Sequence, residues 1–241
     1  LIAQKMSAKN IVLVTGASSG IGAAISKKFS SQNYQVILSS RSKNKLINLN
    51  KELSNLGYES YVIPCDVTKE DDIKNLYKES SKIGFVNCII NNAGFGKFSK
   101  IEDVSTTEWD QQINTNLKGS FLIVREFVKD MIDKKDGKIV FINSVAGKYG
   151  YPFSAAYVSS KFGLKGLADS LRNELRDYNI KIISIHPGAI DTNFWNNVNV
   201  DFPREEMLSS SDIADTVFHA VEAPNSVVLE EVIIRRTAGD F

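Results

Sequence analysis

Short apolar runs alternate with longer amphipathic stretches along nearly the whole chain. The apolar runs are rich in β-branched residues and predict buried strands, whereas the stretches between them repeat apolar residues at helical spacing. The predicted strands cover 11–15, 35–40, 59–64, 86–91, 137–143, 180–186 and 227–234. The predicted helices cover 21–32, 43–56, 69–83, 106–133, 155–178 and 210–222.

This alternation predicts an α/β fold with one doubly wound parallel sheet of about seven strands and helices on both faces. No Pro-, Gly- or Ser-rich linker interrupts the pattern, so we predict a single domain over residues 1–241. Residues 1–8 are expected to be a disordered or artificially added N-terminal segment. Ligands of such sheets bind at the carboxyl ends of the strands, near the switch in strand order.

Composition narrows the class of protein. The chain has 29 basic and 28 acidic residues, so its net charge of +1 gives no electrostatic case for binding nucleic acid or a membrane surface. No apolar run approaches the ~18 residues of a membrane span. A signal-peptide pattern is absent from residues 1–5, and we predict a cytoplasmic protein.

Cysteine and histidine give little sign of special chemistry. Cys65 and Cys88 form no C-x-x-C pair and are expected to be buried thiols. His186 and His219 have no ligand neighbours at metal-binding spacing, so we predict no metal site.

A glycine-rich turn follows the first predicted strand and opens the first predicted helix. Glycines let the backbone approach a pyrophosphate, and the free N–H groups and dipole of the helix N-terminus favour its charge. No Lys-Ser or Lys-Thr follows the last glycine, which disfavours a nucleoside triphosphate loop. The predicted dinucleotide contacts in this turn are Gly16, Ser18, Ser19, Gly20, Ile21 and Gly22.

Tyr157 and Lys161 lie four residues apart in a predicted helix and therefore share one face. A free phenol has a pKa near ~10. A cation at ~4 Å favours the phenolate by up to ~4 kcal/mol at an effective dielectric constant of ~20. The pair is therefore predicted to be a general acid/base whose phenol pKa is lowered by the ammonium.

These motifs together resemble those of the short-chain dehydrogenase/reductase family, in its compact branch. The matching features run in family order over about residues 10 to 235: T-G-A-S-S-G-I-G at 15–22, N-N-A-G at 91–94, Asn116, Ser144, Y-x-x-x-K at 157–161 and P-G at 187–188. The resemblance implies a Rossmann-type fold and a hydride-transferring oxidoreductase.

Cofactor choice depends on the end of the second predicted strand. NAD-selective sites carry an Asp or Glu there for the ribose hydroxyls. This chain has Ser40 and Arg41 instead, and Arg can bind a 2′-phosphate, so we predict NADP(H) over NAD(H). The resemblance adds Asp66 and Val67 at the adenine end. It places Asn92, Ala93 and Gly94 at the ribose, and Pro187, Gly188, Ile190 and Thr192 at the nicotinamide.

The resemblance also implies a mechanism of carbonyl reduction or its reverse. Tyr157 donates the proton, Ser144 orients the reacting oxygen, and Lys161 lowers the pKa of Tyr157 and holds the nicotinamide ribose. Asn116 matches the Asn that anchors a water in the proton relay. Asn114 competes for that role, although the N-L-x-G context favours Asn116.

Substrate and assembly are less constrained. Aromatic and apolar residues next to the motifs predict an apolar or aromatic pocket for a small carbonyl or alcohol substrate, or else pack beneath the loops. They are Phe95, Val145, Tyr149, Tyr151, Phe153, Phe194 and Trp195. The segment 191–203 is predicted to be a mobile lid. The resemblance implies a homodimer or homotetramer through the helices at 106–133 and 155–178. Phe121, Phe127 and Leu171 could serve that interface or the core.

Two other functions remain open at this point. One is an NAD-dependent alcohol or sugar-alcohol dehydrogenase, which Arg41 disfavours. The other is a sensor that binds NADP(H) without turnover, which the set of Asn116, Ser144, Tyr157 and Lys161 disfavours.

Overall fold

Seven parallel strands form one sheet in the computed structural model, which describes residues 9–197 and 203–239. The strands are β1 (Ile11–Thr15), β2 (Gln35–Ser39), β3 (Ser60–Val62), β4 (Val86–Asn91), β5 (Gly137–Ile142), β6 (Ile180–Pro187) and β7 (Glu231–Ile234). Their order across the sheet is β3-β2-β1-β4-β5-β6-β7. The chain therefore crosses from one side of β1 to the other between β3 and β4, and the resulting crevice lies at the carboxyl ends of β1 and β4.

Seven α-helices connect these strands within the described residues. They are α1 (Gly20–Ser31), α2 (Lys43–Asn55), α3 (Glu70–Ile83), α4 (Thr106–Ile113), α5 (Gly119–Lys134), α6 (Ala155–Leu175) and α7 (Ser210–Val221). Helices α4 and α7 begin with capping boxes, in which Ser105 pairs with Glu108 and Ser209 with Asp212. No helix in 9–197 or 203–239 combines the length and apolar character that crossing a bilayer requires.

The core consists of two apolar layers, one on each face of the sheet. Val12 and Val14 of β1 join the layer under α1, α2 and α7, whereas Leu13 joins the layer under α3, α5 and α6. Because both faces are covered, strands such as β1 carry apolar residues at successive positions rather than only at alternate ones. The predicted doubly wound α/β fold is confirmed. The predicted disorder of residues 1–8 lies outside the described residues.

Several predicted boundaries were wrong. The helix predicted over 106–133 is interrupted by a π-helical turn, Asn114–Lys118, between α4 and α5. The strand predicted over 227–234 forms only at its second half, since Val227 donates its N–H to Pro224 in a turn and residues 227–229 are exposed. Strand β3 has three residues instead of six, and α6 ends at Leu175 in a short 3₁₀ turn.

Candidate active site

The glycine-rich turn between β1 and α1 is built from backbone atoms. Gly16 and Gly20 adopt left-handed φ values of +66° and +52°, which side chains other than glycine disfavour. A Cβ on Gly22 would overlap the carbonyl oxygen of Gly16. Glycine at these positions therefore brings the chain close enough for a phosphate to approach the N-terminus of α1.

Side-chain hydrogen bonds connect this turn to the segment that follows β4, on the other side of the crevice. Asn92 Nδ2 donates to the carbonyl oxygens of Thr15 (2.9 Å) and Gly16 (3.2 Å). In return Thr15 Oγ1 accepts the N–H groups of Asn92 (3.0 Å) and Ala93 (3.1 Å). The predicted ribose-binding segment is thus fixed against the predicted phosphate-binding turn.

Arg41 follows β2, and Asp66 lies in the segment that follows β3. Arg41 is exposed, and Ser40 accepts the Cys65 N–H in the extension of the strand pairing. Burial opposes ionisation of Asp66, but hydrogen bonds from Thr68 and the charges of Arg41 and Lys69 outweigh it and lower the pKa of the carboxyl group. The exposed guanidinium of Arg41 therefore acts electrostatically on a carboxylate at the predicted adenine end. Val67 is buried and lies against Gly119.

The segment after β6 closes over the glycine-rich turn. A Cβ on Gly20 would lie 3.2 Å from Thr192 Cγ2, so the two segments are nearly in contact. Gly188 donates its N–H to the carbonyl oxygen of Ile234 (2.8 Å). Ile190 is buried in the core, so mainly its backbone groups are available to a cofactor. Part of the predicted lid, residues 198–202, lies outside the described residues.

Tyr157 and Lys161 are held on α6 beside the end of β5. Lys161 is buried, donates from Nζ to the carbonyl oxygen of Ile142 (2.9 Å) and lies 5.7 Å from the centre of the Tyr157 ring. Gly163 lets α6 approach the π-helical turn, since a Cβ there would lie 2.6 Å from Leu117. The ammonium and the phenol ring thus share one enclosed face, as the i, i+4 spacing predicts.

Burial is the largest influence on the pKa values of both Tyr157 and Lys161. This result differs from the expectation that Lys161 lowers the phenol pKa. Burial raises the pKa of Tyr157 to about 12, against an opposing hydrogen bond from Ser144. Burial also lowers the pKa of Lys161 to about 8. The cost of desolvating the phenolate therefore outweighs the opposing hydrogen bond from Ser144.

Ser144 begins the turn that follows β5. Its Oγ accepts the Ala146 N–H (3.1 Å), which leaves the hydroxyl hydrogen available to donate. The same hydroxyl lies close enough to Tyr157 to lower its pKa by hydrogen bonding. The predicted serine and tyrosine therefore converge on one point.

Asn116 lies in the π-helical turn and its carboxamide is fully engaged. Oδ1 accepts the Phe95 N–H (3.0 Å), and Nδ2 donates to the Phe95 carbonyl (2.9 Å) and to Ser160 Oγ (3.0 Å). Both amide hydrogens are used, so the side chain has no donor left for a water. Asn116 instead ties the loop after β4 to α6, one residue before Lys161.

Three aromatic rings, Phe98, Phe194 and Trp195, form a cluster with Tyr157. Tyr157 lies 5.6 Å from both Phe98 and Phe194, and Phe194 lies 5.2 Å from Trp195, between ring centres. All four rings, counting Tyr157, keep part of their surface exposed. A Cβ on Gly96 would clash with Phe194 and Phe98, so glycine at 96 makes room for the cluster.

The other predicted pocket residues lie elsewhere. Tyr149, Tyr151 and Phe153 are exposed on the loop before α6, and Arg235 stacks over Tyr149 at 5.2 Å. Val145 is buried, and Phe95 contributes both of its backbone groups to Asn116. Phe98 was missed by the sequence reasoning because it lies four residues beyond the N-N-A-G motif.

Residues 10–202 match the family described as short chain dehydrogenase, which covers more than half of the chain.

The chain belongs to the short-chain dehydrogenase/reductase family.

Relatives of this short-chain dehydrogenase/reductase extend over nearly its whole length. It is 34% identical over 241 residues to the sepiapterin reductase of Chlorobaculum tepidum, covering 97% of this chain and 98% of the relative. A metagenomic short-chain oxidoreductase solved with NADP is 33% identical with a TM-score of 0.84, covering 95% of this chain and 97% of that one. An alcohol dehydrogenase from the archaeon Thermococcus sibiricus, solved with 5-hydroxy-NADP, is 28% identical with a TM-score of 0.88 and the same coverage.

Proposed function

We propose that this short-chain dehydrogenase/reductase is an NADP(H)-dependent oxidoreductase that interconverts a ketone or aldehyde with an alcohol. The observation that carries the proposal is the convergence of Ser144, Tyr157 and Lys161 beside a glycine-rich turn that can hold a dinucleotide. The similarity to a sepiapterin reductase and to structures solved with NADP or 5-hydroxy-NADP supports the same proposal.

The dinucleotide site fits NADP(H) better than NAD(H). The close approach at Gly16 and Gly22 leaves room for a pyrophosphate at the N-terminus of α1. Arg41 is exposed beside Ser40, where a carboxylate would repel a 2′-phosphate. When bound, NADPH supplies the hydride.

Tyr157 is suited to give a proton in the direction of reduction. With its pKa raised to about 12, the phenol remains protonated at neutral pH. The Ser144 hydroxyl, which hydrogen-bonds Tyr157, can donate its hydrogen to the same reacting oxygen, and this donor adds to the stabilisation of a developing alkoxide. Tyr157 is therefore the proton donor and Ser144 the orienting group.

Lys161 and Asn116 support this pair in different ways. The ammonium of Lys161, 5.7 Å from the phenol ring, offsets negative charge that develops at Tyr157 as the proton leaves. Its hydrogens that do not bind Ile142 are available to the nicotinamide ribose. Asn116 acts on the loop after β4 through Phe95, not through a water on its side chain.

The substrate binds with an apolar, preferably aromatic, part against Phe98, Phe194 and Trp195. These rings contact one another and Tyr157, and part of each is exposed. Such a surface stabilises a flat apolar group by burial and by edge or stacking contacts. Tyr149 and Tyr151 are left at the outer rim.

Assembly as a homodimer or homotetramer and a cytoplasmic location stay predictions. Phe127 is buried in the core, whereas Phe121 on α5 is exposed. Phe162 on α6 is exposed too. These two rings are available for a symmetric contact.

The proposed function is tested by NADPH oxidation with a panel of ketones and aldehydes, repeated with NADH. We expect turnover of at least one aromatic carbonyl compound and a clear preference for NADPH. Tight NADPH binding with no turnover across the panel would contradict the proposal and favour a sensor. A preference for NADH would overturn the cofactor assignment and favour the dehydrogenase alternative.

A further inference from the structure

His186 is a buried titratable group that the proposed reaction does not use. It lies on β6, has no solvent exposure, and its Nδ1 is 3.0 Å from the carbonyl oxygen of Ser144. A carbonyl oxygen can only accept, so Nδ1 carries the hydrogen and the ring is the Nδ1–H tautomer. Its Nε2 has no hydrogen-bond partner among residues 9–197 and 203–239.

Burial of this imidazole is costly. A buried polar nitrogen without a partner costs free energy that an aliphatic side chain would not. The neighbouring core positions of the strand, Ile183 and Ile185, carry such side chains. An aliphatic residue could not replace the hydrogen bond that the ring donates to Ser144.

That bond continues the pairing of β5 with β6 beyond the backbone ladder. The last backbone link joins the Asn143 N–H to Ile185 at 2.8 Å. The next link toward the site is made by the His186 side chain to Ser144. The Ser144 carbonyl also accepts the Gly147 N–H at 2.9 Å, so both of its lone pairs are engaged.

We propose that His186 is a positioning residue that holds the Ser144 peptide against β6 and thereby aims the Ser144 hydroxyl at Tyr157. The Oγ is restrained from one side by the Ala146 N–H and the peptide from the other by His186. The inference rests on the proposed function, since it concerns the group that orients the reacting oxygen.

Two variants separate the hydrogen bond from the volume of the ring. His186→Leu removes the donor, whereas His186→Asn places an amide N–H where Nδ1 stood. We expect kcat of His186→Leu to fall between about 10-fold and 100-fold, because small displacements of a positioned group have effects of this size. KM and NADPH affinity should change little, and His186→Asn should recover most of kcat. Equal losses of kcat in the two variants would overturn the proposal.

A double-mutant cycle asks whether His186 acts through Ser144. In a Ser144→Ala background, which keeps the backbone carbonyl but lacks the hydroxyl, His186→Leu should cost little further kcat. If the two losses instead multiply, His186 acts independently of the hydroxyl and the inference is wrong.

A measurement without turnover separates this inference from the proposed function. The chain has two histidines, so ¹⁵N NMR of the His219→Gln variant reports on His186 alone. We expect a neutral ring protonated at Nδ1, and protonation at Nε2 would overturn the proposal. Absence of turnover in the unaltered protein, with the Nδ1–H tautomer present, would contradict the proposed function and with it the role of His186 in the reaction.

Discussion

The two sides of the proposed site are built from different parts of the chain. The dinucleotide side lies at the ends of β1, β2 and β4. It consists mainly of backbone atoms, whose conformation depends on Gly16, Gly20 and Gly22. The substrate side is a set of side-chain rings, in which Phe98 and Trp195 come from loops almost a hundred residues apart.

This difference has consequences for tolerance to substitution. A turn built from backbone atoms cannot accommodate an added side chain at Gly22, because the new Cβ would overlap the Gly16 carbonyl oxygen, which cannot move aside. A ring cluster that keeps partial exposure can repack around a smaller side chain or a ligand. We therefore expect changes on the dinucleotide side to weaken cofactor binding, and changes on the substrate side to shift substrate preference.

The largest effect is expected from Gly22→Ala. Its Cβ would overlap the Gly16 carbonyl oxygen, and relieving this overlap displaces the turn from the N-terminus of α1. We expect a strain of roughly 2–3 kcal/mol, which corresponds to roughly 30-fold to 150-fold weaker NADPH binding by fluorescence titration.

Gly150→Ala is the matched control for that substitution. A Cβ on Gly150 would meet no atom within 4 Å, so its NADPH affinity and melting temperature should equal those of the unaltered protein. Unchanged NADPH binding by Gly22→Ala would contradict the backbone-built interpretation of this side.

Arg41→Ala is expected to have an intermediate and selective effect. Removing one charge-assisted contact to a 2′-phosphate costs ~1.5–3 kcal/mol, or roughly 10-fold to 150-fold in NADPH affinity. NADH affinity should barely change. Lys51→Ala removes the same charge from the exposed face of α2 and should affect neither cofactor. Equal weakening of NADPH and NADH by Arg41→Ala would remove the argument for NADP(H).

Phe98→Leu is expected to have the smallest effect and to act on substrate preference. The loss of ring contacts is worth ~0.5–1.5 kcal/mol, or roughly 2-fold to 12-fold in kcat/KM. The loss should appear with acetophenone and be smaller with cyclohexyl methyl ketone, which has the same skeleton without the flat ring. Phe153→Leu makes the same change on the exposed rim. An equal effect of Phe153→Leu would move the substrate contact to the rim.

Local features of the dinucleotide side can be predicted from the sequence because they depend on residue type. Glycine at 16, 20 and 22 reflects a local backbone need, and the i, i+4 spacing of Tyr157 and Lys161 carries directly into a helix face. The parallel sheet and the apolar layers on its two faces likewise follow from the alternation of apolar runs with amphipathic stretches.

Other features depend on tertiary contacts that the local pattern does not contain. The π-helical turn around Asn116 keeps a helical periodicity, so it could not be distinguished from regular helix. Phe98 joins the site only because Gly96 lets its loop pack against Phe194. The protonation of Tyr157 depends on how deeply the pair is buried, which spacing does not determine.

The most direct test of the account compares Tyr157→Phe with the unaltered protein for NADPH affinity and for turnover of a carbonyl compound that the unaltered protein reduces. The substitution removes only the hydroxyl that carries the proton, and the dinucleotide side is left intact. We predict turnover reduced by at least ~10²-fold with NADPH affinity within about twofold, a difference of less than ~0.5 kcal/mol. Unchanged turnover would contradict Tyr157 as the proton donor and, with it, the proposed division between the two sides of the site.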